Sequence, residues 1–421
     1  MLDVFKGELF IHPAALDYSG NTCSHACAYC FASLRSADRR FSIAKLGKLC
    51  LGRSTSGALG DALFNLGYPV CVSNRSDPFC KANGDNTRAV LELLDLVPNG
   101  VFFQTKGVSD PSAWRALDAF RKKNVVMYIT ISSTSPEISR RIEPGAPDPA
   151  DRIELARYAK SRGWEVIIGI NPCVGQWMPE EDLISLEDTL LESGIDRYLV
   201  MPLSLNSRDA TTMSGARREM LEADGVLDET IRHDGQFYHW VRQYRRMNRR
   251  GLHAYSVCGP LPCHMDDLAC AKLGKHMNSV QHFTDYAWDE HARSGKTLFT
   301  FPDFLRVMTD GNPEMAAFSH PDMYKYILCI NRAVWKAGGL AKTARTFPDV
   351  YRVLWNSPSM VHSPCNLWCF TRLVDGSGRP VRDERGDMQL VFLGGGPIAS
   401  RDRKAAMTAE DLREKGVILK W

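Results

Sequence analysis

Short apolar runs alternate with longer amphipathic stretches through the first half of the chain. Residues 9–11 are apolar and read as a first strand. Residues 41–66 are mostly helical in pattern, interrupted by Gly47, Gly52, Gly57 and Gly60. A regular rhythm then sets in. Strands are predicted at 69–72, 101–104, 125–131, 165–170 and 198–201, with helices at 85–96, from 111 onward, at 149–162 and at 180–192. The punctuation agrees with these periods: Asp110 precedes Pro111 as a helix start, and Gly163 and Gly194 follow helix ends. The run VVMYITI at 125–131 is apolar and β-branched, the composition of a buried strand. Such alternation implies parallel βαβ units, six of them over about 8–203. Further on, 236–250 reads as a helix, and 370–393 as a hairpin whose apolar ends, FTRLV and MQLVFL, flank a polar middle with Gly376, Gly378 and Gly386.

The chain has 421 residues, a length that suits two or three domains, although a barrel alone can exceed roughly 200 residues. Its apolar content of 44% is enough for a large core, and its net charge of +3 names no partner by itself. Thirteen cysteines is an odd and high number. Clustered thiols argue for a reducing interior over a secreted disulfide framework. The start, MLDVFKGELF, has no basic start and no apolar core of the length of a signal peptide. The longest buried-looking runs are far too short to cross a bilayer. These features lead to the expectation of a soluble cytoplasmic protein with no membrane partner.

Within YSGNTCSHACAYCFASLR, at 18–35, Cys23, Cys27 and Cys30 form a C-x3-C-x2-C run. Three thiols this close can face one point and leave a fourth corner unfilled, unlike four-ligand zinc or electron-transfer sites. A zinc knuckle and buried free cysteines are the plainer readings of the same residues. The spacing, with Tyr29 directly before the last cysteine, resembles the signature of the radical S-adenosylmethionine (radical SAM) superfamily. The resemblance implies a [4Fe-4S] cluster on Cys23, Cys27 and Cys30, with SAM on the open iron and an electron donor such as flavodoxin or ferredoxin. It also implies an α/β fold, a partial (β/α)6 barrel over 1–203. The resemblance covers only about 8–203, under half the chain; 204–421 is expected from its own features to be a mixed α+β C-terminal region that binds substrate.

In barrels of this kind chemistry sits at the C-terminal ends of the strands. The turn SNRSDPF, at 73–79, resembles the version found in the spore-photoproduct-lyase-like branch. The usual Gly-Gly-Glu-type turn is absent; by that resemblance Asp77 or the Asn74 carbonyl would hold the SAM ammonium, with Ser76 also in the cofactor site, and the bland alternative is a polar turn capping the next helix. In TISST, Thr130 or Ser132 would face the SAM ribose, or else bond to backbone. The stretch RRIEPG again resembles the same branch and places Arg140, Arg141 and Glu143 near the barrel top. Arginine there suits a carboxylate or phosphate, or a surface ion pair. In GINPCVG, Gly169 and Asn171 would admit the adenine, and Cys173 is a candidate hydrogen-atom donor or a packing residue.

Three features mark the second half. Arg242, Arg245, Arg246, Arg249 and Arg250 share one face of the 236–250 helix with no acid between them. That pattern suits nucleic-acid phosphates, or a face bridged to acids elsewhere. Cys258, Cys263, Cys270, Cys365 and Cys369 are candidates for a second iron–sulfur cluster, or for zinc with His264, or are scattered buried cysteines. Cys50, Cys71, Cys80 and Cys329 stand alone and read as packing residues. The 370–393 hairpin carries Arg372, Arg379, Arg382 and Arg385. It is similar in architecture to the DNA-wedging hairpin of the spore-photoproduct-lyase-like branch; a simple capping hairpin is the alternative. The expected function is a radical SAM enzyme that modifies or rearranges a nucleic-acid base or nucleotide, isomerase-like or bond-forming. Photodimer repair and peptide maturation with an auxiliary cluster are the alternatives. A non-enzymatic metal scaffold would explain the arginine helix but not the open cluster corner.

Overall fold

The computed structural model describes residues 15–16, 23–30, 43–52, 59–72, 76–203, 213–227, 236–255, 280–324, 343–357, 363–366, 369–394 and 406–420. The described residues fall into two units, one drawn from 15–52 and 67–255, the other from 59–66 and 280–420.

The first unit is a parallel sheet with its crossover helices. In chain order it holds β1 (Ala15–Leu16) and α1 (Ile43–Cys50), and, after α2 (Leu59–Asn65) of the second unit, β2 (Val70–Val72), α3 (Gly84–Leu94), β3 (Val101–Thr105), α4 (Pro111–Ala119), β4 (Val125–Thr130), α5 (Pro136–Ile142), α6 (Pro149–Ser161), β5 (Glu165–Ile170), α7 (Glu180–Leu191), β6 (Arg197–Val200), α8 (Gly215–Ala223), α9 (Gln236–Arg249) and β7 (His253–Tyr255). The strands lie side by side in sequence order, β1-β2-β3-β4-β5-β6-β7, and every neighbouring pair is parallel. Right-handed crossovers in such an order put the helices on one face and curl the sheet toward a partial (β/α) barrel. The helices form where the sequence signals them. Asp110 caps α4 by accepting from Ser112 N and Ala113 N, and Ser135 caps α5 by accepting from Ile138 N.

The parallel sheet runs past residue 203. β7 pairs with β6, Arg197 opposite His253, and α9 is the crossover that delivers it. Its three residues, HAY, are too short and too polar to announce a strand. The strand expected at 9–11 and the glycine-rich part of 41–66 around 53–58 lie outside the described residues.

The second unit adds α10 (Val280–Ser294), β8 (Leu298–Phe299), α11 (Phe301–Asp310), α12 (Pro313–Ala317), α13 (Phe347–Trp355), a 3-10 turn at Pro364–Asn366, β9 (Phe370–Val374), β10 (Leu390–Phe392), β11 (Ala406–Thr408) and α14 (Ala409–Glu414). Its mixed sheet has the order β11-β9-β10-β8. β9 and β10 pair antiparallel, as the hairpin pattern implies, but they form the middle of a four-stranded sheet. The polar middle folds as two Asp-x-x-Gly turns. Asp375 Oδ1 accepts from Ser377 N and Arg379 N, and Asp383 Oδ1 accepts from Arg385 N and Asp387 N. Gly378 and Gly386 close them at φ 77° and 79°. An aromatic core surrounds Phe283, whose ring centroid lies 5.1 Å from Phe304 and 5.2 Å from Phe370. Among the described residues no helix is long and apolar enough to cross a membrane.

One inner-wall contact is testable. A Cβ on Gly169 would lie 1.9 Å from Tyr128 Oη and 2.2 Å from its Cζ, so the phenol occupies the space in front of β5. Gly169→Ala is expected to cost about 1–3 kcal/mol by overpacking. Tyr128→Ala should then cost less in the Gly169→Ala background than in wild type, read by denaturant melts of all four proteins. Strictly additive losses would show that the two side chains do not compete for this space.

Candidate active site

The cysteine loop sits above the strand ends and is tied to them by two buried carboxylates. Cys30 N donates to Cys27 O at 3.2 Å, closing a turn between the last two cysteines, and Ala26 takes a left-handed φ of 52°. The loop packs on the segment after α5. Ala28 N donates to Ile142 O at 2.8 Å, Gly145 N donates to His25 O at 2.9 Å, and His25 Nδ1 lies 2.9 Å from Gly145 O. Position 145 must be glycine here, because a Cβ would lie 2.0 Å from Ser24 O. That requirement accounts for the glycine in RRIEPG.

Asp77 is the first carboxylate. Its oxygens meet His25 Nε2 at 3.0 Å, Phe79 N at 2.9 Å, Thr105 Oγ1 at 2.9 Å and Lys106 N at 2.6 Å. One side chain thus joins the end of β2, the end of β3 and the cysteine loop. Burial works against protonation of His25, but the Asp77 carboxylate outweighs it and raises the imidazole pKa. Beside Asp77, Asn83 Nδ2 donates to Ser76 Oγ at 3.0 Å, Asp77 O at 2.7 Å and Cys80 Sγ at 3.4 Å. Cys80 is not a mere packing residue. It accepts a hydrogen bond from Cys23, which lowers the Cys80 pKa and raises that of Cys23.

Glu143 is the second carboxylate and is 1% exposed. Lys106 Nζ lies 3.0 Å from its Oε1, Arg152 Nη1 lies 2.5 Å from its Oε2, and the Tyr29 hydroxyl donates to Oε1. Burial alone would push the Glu143 carboxyl up; Lys106 and Arg152 overcome it and hold the group at about 2. Lys106 Nζ also lies 2.8 Å from Tyr29 Oη and 5.1 Å above the Tyr29 ring. Arg152 is spread over Pro147 O, Thr130 O and Ser139 Oγ at 2.8, 3.1 and 3.1 Å. Two cations against one carboxylate leave net positive charge near Cys27. That charge pulls the Cys27 thiol down, while burial pushes it up to about 12.

The structure thus brings together Cys23, Cys27, Cys30, Tyr29, Ser76, Asp77, Thr130, Ser132 and Glu143. Ser132 Oγ lies 2.9 Å from Tyr29 Oη and donates to Asn171 O at 3.3 Å. Arg141 turns aside and pairs with Asp224. Cys173 is fully buried, its N donating to Met201 O at 2.7 Å, and burial raises its thiol to about 12. Asn74 lies outside the described residues, as do Cys258, Cys263 and Cys270. Cys365 and Cys369 are buried, Cys365 Sγ 3.0 Å from Ser363 Oγ and Cys369 hydrogen-bonded to Thr284.

Sequence reasoning missed Lys106 and Arg152. Lys106 directly follows the VFFQT strand, so the strand-end rule reaches it. Arg152 is a buried arginine inside α6, where nothing in the pattern sets it apart.

Three arginines of the arginine helix follow the second reading given for it, a face bridged to acids elsewhere. Arg242 pairs with Glu180 at 3.2 Å, Arg246 with Glu187 at 2.8 Å, and Arg250 with Glu187 at 2.6 Å and Asp188 at 2.5 Å. The acids lie on α7, some sixty residues upstream, and the arginines dock α9 against it. On its other side the Trp240 indole donates to Val200 O of β6. Arg245 is half-buried and Arg249 is exposed.

Among the described residues no three His, Cys, Asp or Glu side chains converge on one point as a metal site. The donor chemistry nonetheless fits a thiolate-held cluster. Three cysteines outside any disulfide stand within eight residues on an anchored loop, with net positive charge beside Cys27 to offset cluster sulfur.

No family model matches the chain. An uncharacterized protein, ORF301, of Acidianus two-tailed virus is 25% identical over 226 residues, covering 50% of this chain and 73% of that protein. Among solved structures, Streptococcus suis SuiB bound to S-adenosylmethionine aligns with a TM-score of 0.37 and 16% identity over 59% of this chain and 51% of SuiB. Spore photoproduct lyase complexed with dinucleoside spore photoproduct aligns with a TM-score of 0.38 and 15% identity over 56% of this chain and 75% of that one. The chain spans about half the length of SuiB.

Breaking the Glu143 cluster should be costly. Glu143→Gln leaves the buried Arg152 and the partly buried Lys106 without their counter-charge, an expected loss of about 3–5 kcal/mol. The sign of the pH dependence follows from a carboxyl held at about 2 in the fold against 4.5 unfolded. Its contribution is complete above pH about 4.5 and is lost as pH falls toward 2. Denaturant melts should therefore show the gap between wild type and Glu143→Gln narrowing from pH 6 to pH 3. A gap that stays constant over that range would contradict the ion cluster.

Proposed function

We propose that the chain is a radical SAM enzyme that modifies or rearranges a nucleic-acid base or nucleotide. One observation carries the first part of this reading. A C-x3-C-x2-C loop is pinned by Asp77 and Glu143 to the strand ends of a parallel sheet, where such folds do chemistry. Cys23, Cys27 and Cys30 would hold a [4Fe-4S] cluster, with SAM at the remaining corner. When bound, the cluster and SAM supply the electron transfer and hydrogen abstraction that no side chain can perform.

The chain's own residues bind and orient. Lys106 is the partly buried ammonium beside the loop, suited to the SAM carboxylate. Ser76, Thr130, Ser132 and Asn171 supply polar groups around the strand ends for the rest of SAM. Flavodoxin or ferredoxin would deliver electrons. A second iron–sulfur or zinc site on Cys258, Cys263 and Cys270, with Cys365 or Cys369, remains part of the proposal.

Anaerobic reconstitution with iron and sulfide, followed by SAM and reductant, should yield 5'-deoxyadenosine from wild type and none from the variant with Cys23, Cys27 and Cys30 all changed to alanine. Undiminished SAM cleavage in that variant would sink the reading.

The substrate half rests on exposed arginines: Arg249 on α9, and Arg379 and Arg385 in the Asp-x-x-Gly turns. Phosphate contacts make affinity fall steeply with salt. Arg249→Gln, Arg379→Gln and Arg385→Gln together should weaken fluorescence-anisotropy binding to duplex or single-stranded DNA and flatten its salt dependence. Arg246→Gln should lower stability instead, because Arg246 partners the buried Glu187. A triple variant that binds DNA as wild type does, or SAM cleavage stimulated by peptide and not by DNA, would refute the nucleic-acid substrate.

A further inference from the structure

α8 lies beyond the segment that the cysteine motif identifies, and it reaches back to that motif. Arg217 Nη2 donates to Cys27 O at 3.0 Å, Ala28 O at 2.7 Å and Cys30 O at 3.3 Å, and its Nε donates to Ala28 O at 2.9 Å. Three backbone carbonyls of the metal-ligand turn therefore meet on one guanidinium. Carbonyl oxygens gathered in this way repel one another unless a donor is placed between them. A fixed planar cation is the side chain best suited to hold them.

The grip has a second point. Asp224, the C-cap of α8, accepts from Trp177 Nε1 at 2.7 Å and pairs with Arg141. The Trp177 ring lies 5.6 Å from that of Tyr29, between the last two cysteines. Arg217, Leu221 and Asp224 fall at i, i+4 and i+7 on one helical stripe. Leu221 is fully buried with Cys27, Ala28, Tyr29 and Trp177 in one apolar cluster.

We infer that α8 is a clasp for the cluster loop and that Arg217 is a positioning residue for the Cys27 and Cys30 ligands. This inference rests on the cluster reading given above. Arg217 has two separable effects. Its hydrogen bonds fix the turn that presents the ligands, as outer-shell partners do in metal sites. Its charge, placed on the ligand backbone, favours the reduced and more negative state of a bound cluster.

The test uses anaerobically loaded full-length protein and two readouts besides turnover: iron release to a chelator, and the cluster midpoint from EPR-monitored redox titration. Arg217→Met removes donors and charge. It is expected to release iron on the order of tenfold faster than wild type and to show a more negative midpoint. Arg217→Lys keeps the charge with fewer donors, so its midpoint should stay near wild type while release is still accelerated. Asp224→Asn should speed release and leave the midpoint unchanged. Thermal melts of the unloaded proteins check folding; if Arg217→Met does not fold, Arg217→Lys and Asp224→Asn carry the comparison. Wild-type release rates in every folded variant would overturn the clasp while leaving the cluster reading intact. Wild-type protein that takes up no iron would overturn the cluster reading and the clasp together.

Discussion

A buried carboxylate between two cations organises the first unit. Glu143 is shielded from water, so it keeps its charge only because Lys106 and Arg152 face it. The three groups come from the end of β3, the end of α5 and the interior of α6, and Tyr29 of the cysteine loop bonds to the same carboxylate. Desolvating three charges is expensive, and further hydrogen bonds help to offset it. Arg152 adds contacts to Pro147 O, Thr130 O and Ser139 Oγ. Asp77 repeats the device on the other side of the loop with His25 and Thr105. The loop is thus placed by the geometry of the strand ends, not by its own eight residues.

The same economy explains α9. Five arginines on one face suggest an electrostatic surface when the helix is considered alone. In the fold, three of them meet Glu180, Glu187 and Asp188 on α7, and Glu187 is fully buried beneath the pairs. The charges serve to dock a crossover helix and so to deliver β7 to the sheet.

Much of the first unit was legible because its strands are buried on both faces and read as continuous apolar runs bounded by clear helix signals. β4 and β5 are the plainest cases. The cysteine spacing was equally plain. What could not be read was pairing across distance. The need for glycine at 145 and 169 depends on Ser24 and Tyr128, which are remote in sequence. Arg152 and Arg217 look like ordinary surface arginines until their partners are in place. β7 was missed because three residues carry no period, and the repeated Thr-x-x-Asp capping boxes at Thr300, Thr346 and Thr408 were present but overlooked.

The central claim is that this loop holds a cluster with one corner open to SAM. The most direct measurement is electron–nuclear double resonance on the reduced, anaerobically loaded protein, with SAM isotopically labelled at its amino nitrogen or carboxylate oxygen. The account predicts a change in the cluster EPR signal on adding SAM and a hyperfine coupling to each labelled atom, as direct chelation of the open iron requires. A cluster signal unchanged by SAM, with no coupling to either label, would contradict it.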